Sequence, residues 1–320
     1  MILSITLNPL LEIRLKYDID IDKEVIRDGD LTYAAGGKGV NVARQLRYLD
    51  QDSLVFTTAS GLNGKRFTEC LEKDQIKSII YKTLEETRIS VVVNNGDTQK
   101  NFFARNSGLT ESERSGIVSK LSKAITTVDT VVISGSTPDS GSIEIVAEIL
   151  KLTRESDKLT LLDTYGSGLA GFFELAPVII HNNFQEIENS LGLTLKTEAE
   201  IITAIKMLHS KGIKLIYLTD GKNPFYASNN GYIYRVSPPQ VKEVSSTGCG
   251  DAFTAGILYS MNSHIKFEEG LKFATALGAL EATKYDVCKN DLSEIQSLLD
   301  RVIVEPVGKR MNEFNVPRAN

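Results

Sequence analysis

The sequence predicts an α/β fold, a central and mostly parallel sheet covered by helices on both faces. Three observations carry this expectation. Short apolar runs recur along the chain, amphipathic stretches with helical period lie between them, and the alternation is regular from Asp129 onward. In chain order the apolar runs are "MILSITL" at the start, "SLVFTTAS" at 53–60, "TVVISGS" at 130–136, "LTLLDT" at 159–164, "PVIIHNN" at 177–183 and "KLIYLTDG" at 214–221. Each is too short for a buried helix and reads as a strand buried on both faces. Between them "GVNVARQLRYL" at 39–49, "SIEIVAEILKLTRES" at 142–156 and "EAEIITAIKMLHSKG" at 198–212 place apolar residues at helical spacing. Neither an internal repeat nor a low-complexity linker divides the chain, so one unit spanning residues 1–320 is expected.

Two segments depart from the rhythm. Residues 10–35 mix alternating and charged residues without a helical period. Residues 86–106, "ETRISVVVNNGDTQKNFFAR" in their central part, read as a hairpin around Asn94-Asn95-Gly96-Asp97. Together they predict a small antiparallel sheet outside the main one, placed as a lid over its strand ends. The polar end "GKRMNEFNVPRAN" reads as a loose tail.

Composition removes several function classes. The 320 residues are 42% hydrophobic, with a formal net charge of −5 and a pI near 5.5. That balance argues against a nucleic-acid partner, which needs a basic surface. Cys70, Cys249 and Cys288 are far apart and lack metal spacing, which suits a reduced, cytoplasmic protein. The N-terminal apolar stretch is broken by Asn8, Pro9, Glu12 and Arg14 and has no signal-peptide organisation. No apolar run approaches the roughly 20 residues of a membrane span, so a soluble protein without a membrane partner is expected.

The chemistry concentrates in two glycine-rich turns. In "SSTGCGDAF" at 245–253, Gly248, Cys249 and Gly250 precede Asp251 and an apolar helical run. Free amides at a helix start hold anions and stabilise charge shifting during transfer. Asp251 there can accept the proton of an attacking hydroxyl. The plainer alternative is a capped helix whose first turn favours an acid. In "AAGGKGVNVARQL" at 34–46, Gly36 and Gly37 admit a ligand close to the backbone, and Asn41 supplies a neutral group for sugar hydroxyls. The pattern is neither a P-loop nor Gly-x-Gly-x-x-Gly.

As a pair, "AGGKGVNVAR" and "STGCGDAFTAG" resemble the signatures of the ribokinase/PfkB sugar-kinase family, with Cys249 in place of the usual alanine. The resemblance runs from Thr6 to Thr283 and implies a ribokinase-like fold with a β lid. It makes Asp251 the catalytic base and the backbone of Gly248, Cys249 and Gly250 the anion hole. Asn183 and Glu186 of "NNFQE" match the family's Asn-x-x-Glu, which organises Mg2+ and phosphate largely through water. The same residues also read as a capping box. Thr219 and Gly221 of "LTDG" match the turn that contacts the phosphates of ATP.

"TLNPLLE", "TRISVVV" and "ISGSTP" (the last containing Ser136) resemble the 1-phosphofructokinase and tagatose-6-phosphate kinase branch, whose substrates already carry a phosphate. That implies phosphate contacts from Arg27 and Arg88, with Lys38 inside the glycine motif; Lys100 and Arg105 have no secure match. The exposed β character of "SVVV" and "NFFAR" in the lid segments favours a homodimer through the lid. Three positions depart from the pattern: Glu12 replaces a sugar-gripping aspartate, His181-Asn182 replaces Lys-Pro, and Pro224 replaces a glycine. Fructose 1-phosphate is the first expected substrate, with fructose 1,6-bisphosphate as product, and tagatose 6-phosphate is the second. A kinase for an unphosphorylated sugar and a non-catalytic sugar-phosphate sensor are the rival readings.

Overall fold

The computed structural model describes residues 1–19, 21–22, 25–95 and 98–307. Gly96 and Asp97 of the expected hairpin turn, and the polar tail from residue 308, lie outside the described residues.

The chain begins with β1 (Ile2–Thr6), β2 (Leu10–Lys16), β3 (Asp30–Gly36), α1 (Lys38–Tyr48), β4 (Ser53–Thr58), α2 (Gly61–Lys73) and β5 (Ser78–Tyr81). It continues with β6 (Ile89–Asn94), β7 (Gln99–Phe103), α3 (Glu111–Ile125), β8 (Thr130–Ser134), α4 (Ile143–Glu155), β9 (Leu159–Asp163) and α5 (Leu169–Phe173). Then come β10 (Ile179–Asn183), α6 (Phe184–Leu191), α7 (Glu198–Ser210), β11 (Leu215–Thr219), β12 (Phe225–Asn229) and β13 (Tyr232–Ser237). The last elements are α8 (Cys249–Asn262), α9 (Phe267–Glu281), α10 (Leu292–Leu299) and β14 (Ile303–Val307).

Ten strands form the main sheet in the order β14-β13-β12-β11-β10-β9-β8-β1-β4-β5. Pairing is parallel from β11 through β5 and antiparallel where β12, β13 and β14 extend one edge. All six apolar runs read from the sequence are strands of this sheet. Their residues alternate between two cores. Leu3, Ile5, Val131, Ile133, Leu162 and Ile180 pack with α3 to α7 on one face. Ile2, Val132, Leu161 and Ile179 pack with α1 and α8 to α10 on the other. Burial on both faces is why these strands are apolar almost without interruption.

The second sheet has the order β3-β2-β6-β7, and its strands lie within the two segments that break the sequence rhythm. It consists of antiparallel pairs β2–β3 and β6–β7, joined by a parallel pairing of β2 with β6. The parallel join follows from the long connection between β2 and β6, which carries α1, β4, α2 and β5 and returns the strand in the same direction. Side chains alternate across this sheet. Glu12 registers with Ala34 and Ser90, and Val92 with Asn101, giving a largely polar face. Ile13 registers with Tyr33 and Val91, Leu15 with Leu31, and Val91 with Phe102, giving an apolar one.

Candidate active site

The carboxyl ends of the parallel strands deliver the polar groups to one edge of the main sheet, where α/β folds bind ligands. Asp163 ends β9, Asn183 ends β10 and Thr219 ends β11. Facing them is the start of α8, capped by Gly248 in the left-handed region at φ 85°. A Cβ there would lie 2.6 Å from Val287 Cγ1 and 2.8 Å from Glu281 Oε1, so both the backbone angle and the space exclude a larger residue. The first-turn amides of α8, at Cys249, Gly250 and Asp251, lack intrahelical acceptors by helix geometry; Cys249 N donates to Ser246 O at 3.4 Å, and a helix start of this kind can hold an anion. Cys249 contributes backbone only, because burial pushes its thiol up to about 12.

Asp251 sits in that first turn and is 4% exposed. Burial raises its carboxyl, Asp163 and Glu281 add to the rise, Lys38 and Asn41 oppose it, and the result is about 7. Asn41 Nδ2 donates to Asp251 Oδ2 at 2.7 Å. The amide cannot turn over, because Arg44 donates to Asn41 Oδ1 at 2.8 Å while Arg44 itself is anchored on Ala35 O and Asp74. The Asn41 amide is therefore fixed with its nitrogen on Asp251 and its oxygen on Arg44. Gly37, at φ 123°, makes the sharp entry into α1 that points Asn41 inward; Gly36, the last residue of β3, precedes it.

Lys38 lies between the acids. Its Nζ donates to Asp163 Oδ1 at 2.8 Å and stands 4.0 Å from Glu186 Oε1. Burial by itself would lower its pKa, but Asp163, Glu186 and Asp251 outweigh that and hold it above its ordinary value. Asp163 is buried, and its oxygens also accept from Ser134 Oγ and Thr254 Oγ1, both at 3.3 Å. The signal for Asp163 was an aspartate closing the apolar run "LTLLDT", and sequence reasoning passed over it. Lys38 also lies 5.4 Å over the ring of Tyr165.

Arg88 joins the same edge. It donates to Asn8 O at 3.0 Å, Pro9 O at 3.3 Å and Asn106 Oδ1 at 2.9 Å. Asn8 Nδ2 donates in turn to Ser136 Oγ at 3.0 Å and Asn106 Oδ1 at 3.1 Å. Arg88 and Ser136 thus belong to one network. Arg27 is exposed on the β2–β3 connection, and among the described residues no hydrogen bond or ion pair ties it to this network. Lys100 is paired with Asp22 on the lid, and Arg105 is exposed. Glu12 lies on the polar lid face, ion-paired with Arg14.

On the other side of α8 a cleft of about 330 Å³ is lined by His181, Asn183, Thr219, Gly221, Lys222, Gln240, Gly250, Phe253 and Ala279 among others. Lys222 supplies a cation here that the motif comparison had not anticipated, while His181 is no substitute for one. Burial, with Lys38 nearby, lowers His181 to about 3, so it is neutral. Its ring nitrogens lie 2.8 Å from Thr254 Oγ1 and 3.3 Å from Thr219 Oγ1. Asn183 caps α6 in a full capping box: its Oδ1 accepts from Glu186 N at 2.8 Å, and Glu186 Oε2 accepts from Asn183 N at 3.1 Å.

Residues 6–294 match the pfkB family carbohydrate kinase profile. The chain belongs to the pfkB family of carbohydrate kinases. As a member of that family it is a phosphotransferase acting on a sugar hydroxyl. A tagatose-6-phosphate kinase from Staphylococcus epidermidis is 30% identical over 285 residues, 88% of this chain and 92% of that protein. A 1-phosphofructokinase from Borreliella burgdorferi is 27% identical over 316 residues, 96% and 99% of the two chains. The fold matches the crystal structure of a possible 1-phosphofructokinase from Thermotoga maritima with a TM-score of 0.86 at 23% identity, covering 96% of this chain and 99% of that one. The pfkB kinase described here thus has the ribokinase-like architecture, with the lid sheet beside the strand ends.

Proposed function

We infer that this pfkB kinase transfers the γ-phosphoryl group of ATP to a free hydroxyl of a ketohexose phosphate. Fructose 1-phosphate is the first candidate and tagatose 6-phosphate the second, because relatives bearing both activities align along nearly the whole chain. The observation that carries the reading is the buried Asp251, at about 7, set at an anion-binding helix start beside Lys38. Asp251 takes the proton as the substrate oxygen attacks the γ-phosphorus; the bond to the bridging oxygen breaks and ADP leaves. The amides of Gly248 to Asp251 and the Lys38 ammonium stabilise the charge moving across the transferred group. Most of the acceleration then comes from positioning and electrostatics.

The residues fit a divalent cation. The Glu186 carboxylate stands at the carboxyl ends of the parallel strands: Oε2 accepts from Asn182 Nδ2 and Asn183 N, both at 3.1 Å, and Oε1 faces Lys38 at 4.0 Å. Oxygen donors of this kind suit Mg2+, which keeps waters and leans on substrate phosphates. Glu186, largely through water, would hold it, and it would neutralise charge on the phosphates.

We assign the substrate's existing phosphate to Arg88, supported by its fixed position beside Asn8, Pro9 and Asn106, and the sugar hydroxyls to Glu12. The uncovered apolar lid face, with Leu31 at 51%, Tyr33 at 39% and Phe102 at 57% exposure, favours a homodimer in which two lids pair. No described helix is long and apolar enough to cross a membrane, and the free cysteines suit a reduced cytoplasm, where ATP is supplied. The test is ATP turnover on a panel of free and phosphorylated ketohexoses. Turnover confined to unphosphorylated sugars would replace the substrate, and nucleotide-independent binding without turnover would favour the sensor.

A further inference from the structure

The lid strand β2 carries an ion pair that a simple sugar contact leaves unexplained. Glu12 and Arg14 are two residues apart on one strand, so both side chains stand on the same lid face. Arg14 Nε donates to one carboxylate oxygen, Glu12 Oε2, at 2.6 Å, and Nη2 stands 2.5 Å from the same oxygen as its ion-pair partner. The other oxygen, Oε1, has no hydrogen bond among the described residues. The side chains are only 10% and 12% exposed, so water does not loosen the pair as it would on a surface.

Arg14 is itself held from the opposite side. Its guanidinium lies 5.6 Å over the ring of Tyr285, and Nη1 donates to Tyr285 O at 3.4 Å with Asp286 Oδ1 at 3.8 Å. These contacts cross from the lid to the chain that follows α9. Glu12, Arg14, Gln99, Asn101, Thr247 and Tyr285 line one small cavity. Gln99 Nε2 donates to Thr247 Oγ1 at 3.3 Å, one residue before Gly248, so the cavity borders the catalytic turn. The Tyr285 hydroxyl is buried there and has no hydrogen-bond partner among the described residues.

We propose that Glu12 and Arg14 form one specificity-determining unit that reads substrate hydroxyls, with Arg14 as the positioning residue for Glu12. The inference rests on the sugar-kinase reading but not on the sugar carrying a phosphate. A free carboxylate can accept from two hydroxyls. Here Oε2 is committed to Arg14, so Glu12 accepts from one hydroxyl, through Oε1. The N–H groups that Glu12 leaves to Arg14, and the Tyr285 hydroxyl, donate to a neighbouring hydroxyl oxygen. The unit therefore recognises adjacent hydroxyls as one donor and one acceptor, which ties recognition to their relative stereochemistry. A lysine cannot reproduce it, because a point charge lacks the planar fork.

The experiment measures kcat and KM for Arg14→Ala, Arg14→Lys, Glu12→Gln and the double variant Glu12→Gln/Arg14→Ala. The substrates are C4-epimeric ketohexoses, free and phosphorylated. Arg14→Ala should raise the sugar KM about ten- to a hundredfold, leave the ATP KM unchanged and compress the preference between epimers. Arg14→Lys should recover only part of the loss. The double variant should be no worse than the poorer single variant, because both remove one unit. Melting temperatures identify a variant that fails to fold; if Arg14→Ala does, the isosteric Glu12→Gln carries the same test with the same expected compression. An unchanged sugar KM and epimer preference would overturn the proposal. So would equal rises in the sugar and ATP KM, which mark a merely structural residue. Activity on unphosphorylated sugars alone overturns the sugar-phosphate reading and leaves the variants to be read on those sugars. Phosphorylation of no sugar in the panel overturns both.

Discussion

Asp251 must be buried enough to bind its proton and still release it. Burial beside Asp163 and Glu281 raises its carboxyl to about 7, with Lys38 and Asn41 restraining the rise. The base form is the active one, so kcat/KM should climb with pH through about 7 and fall roughly tenfold per unit below it. The stability linkage has the opposite sign. The folded-state value lies above the ordinary aspartate value, so the contribution is present below about pH 4 and lost as pH rises through 7. Asp251→Asn keeps an acceptor for Asn41 and removes the charge. It should lose well over tenfold in turnover, more than about 1.4 kcal/mol of barrier, yet keep nucleotide binding. Its melting temperature should exceed the parent's by about 2 °C or more at pH 8 and approach it at pH 5. A margin that does not change with pH would deny the buried charge. The same scale separates the two arginines. Arg88, fixed by Asn8, Pro9 and Asn106, should on truncation raise the sugar-phosphate KM about ten- to a hundredfold. Arg27→Ala should change it much less in the same assay, since Arg27 is exposed and outside that network.

The α8–α9 pair is the element on which the catalytic turn depends. Gly256 lets the two helices meet closely: a Cβ there would lie 2.6 Å from the backbone Cα of Ala274. Gly256→Ala must push α9 outward, and overpacking of this kind costs about 1–3 kcal/mol. Because Glu281 at the end of α9 supports the Gly248 turn, kcat should fall together with stability, which denaturant melts and steady-state kinetics on one preparation would reveal. How legible an element was depended on its surroundings. The two-faced strands β1, β4, β8, β9, β10 and β11 stood out as apolar runs. The antiparallel strands β12, β13 and β14 did not: β12 is buried but only 5 residues long, and "YIYRVS" and "IVEPV" mix polar and apolar residues without a clean period. Nor did β5, which is only 4 residues long.

At the scale of the whole molecule the open question is what covers the lid. Its outer face presents Leu31, Tyr33 and Phe102 to solvent, while the inner face is polar and turned toward the catalytic turn. Two lids packed through their apolar faces would bury these side chains and leave both polar faces over their own sites. Light scattering should therefore find a dimer, and Phe102→Asp should shift it to monomer with a marked loss of activity. A monomeric parent enzyme at full activity would remove the dimer and leave lid closure standing.

The α/β class, the strand runs of the central sheet, the lid segments and the reacting end of α8 are local or periodic properties, and the sequence by itself determined them. A glycine turn followed by an acid and an apolar helix announces an anion site wherever it occurs. What Asn41 holds, which acid pairs with Lys38 and how Arg14 grips the lid were decided by the tertiary structure. Asn41 meets Asp251 across 210 residues, and Lys38 meets Asp163 across 125. No pattern within a window of residues encodes such pairings. The pKa of Asp251 likewise belongs to its burial among Asp163, Glu281 and Lys38, three residues from three different parts of the chain. Only folding, by excluding water and bringing those charges together, raises that aspartate from the ordinary range to about 7, which suits it to the proposed role of base.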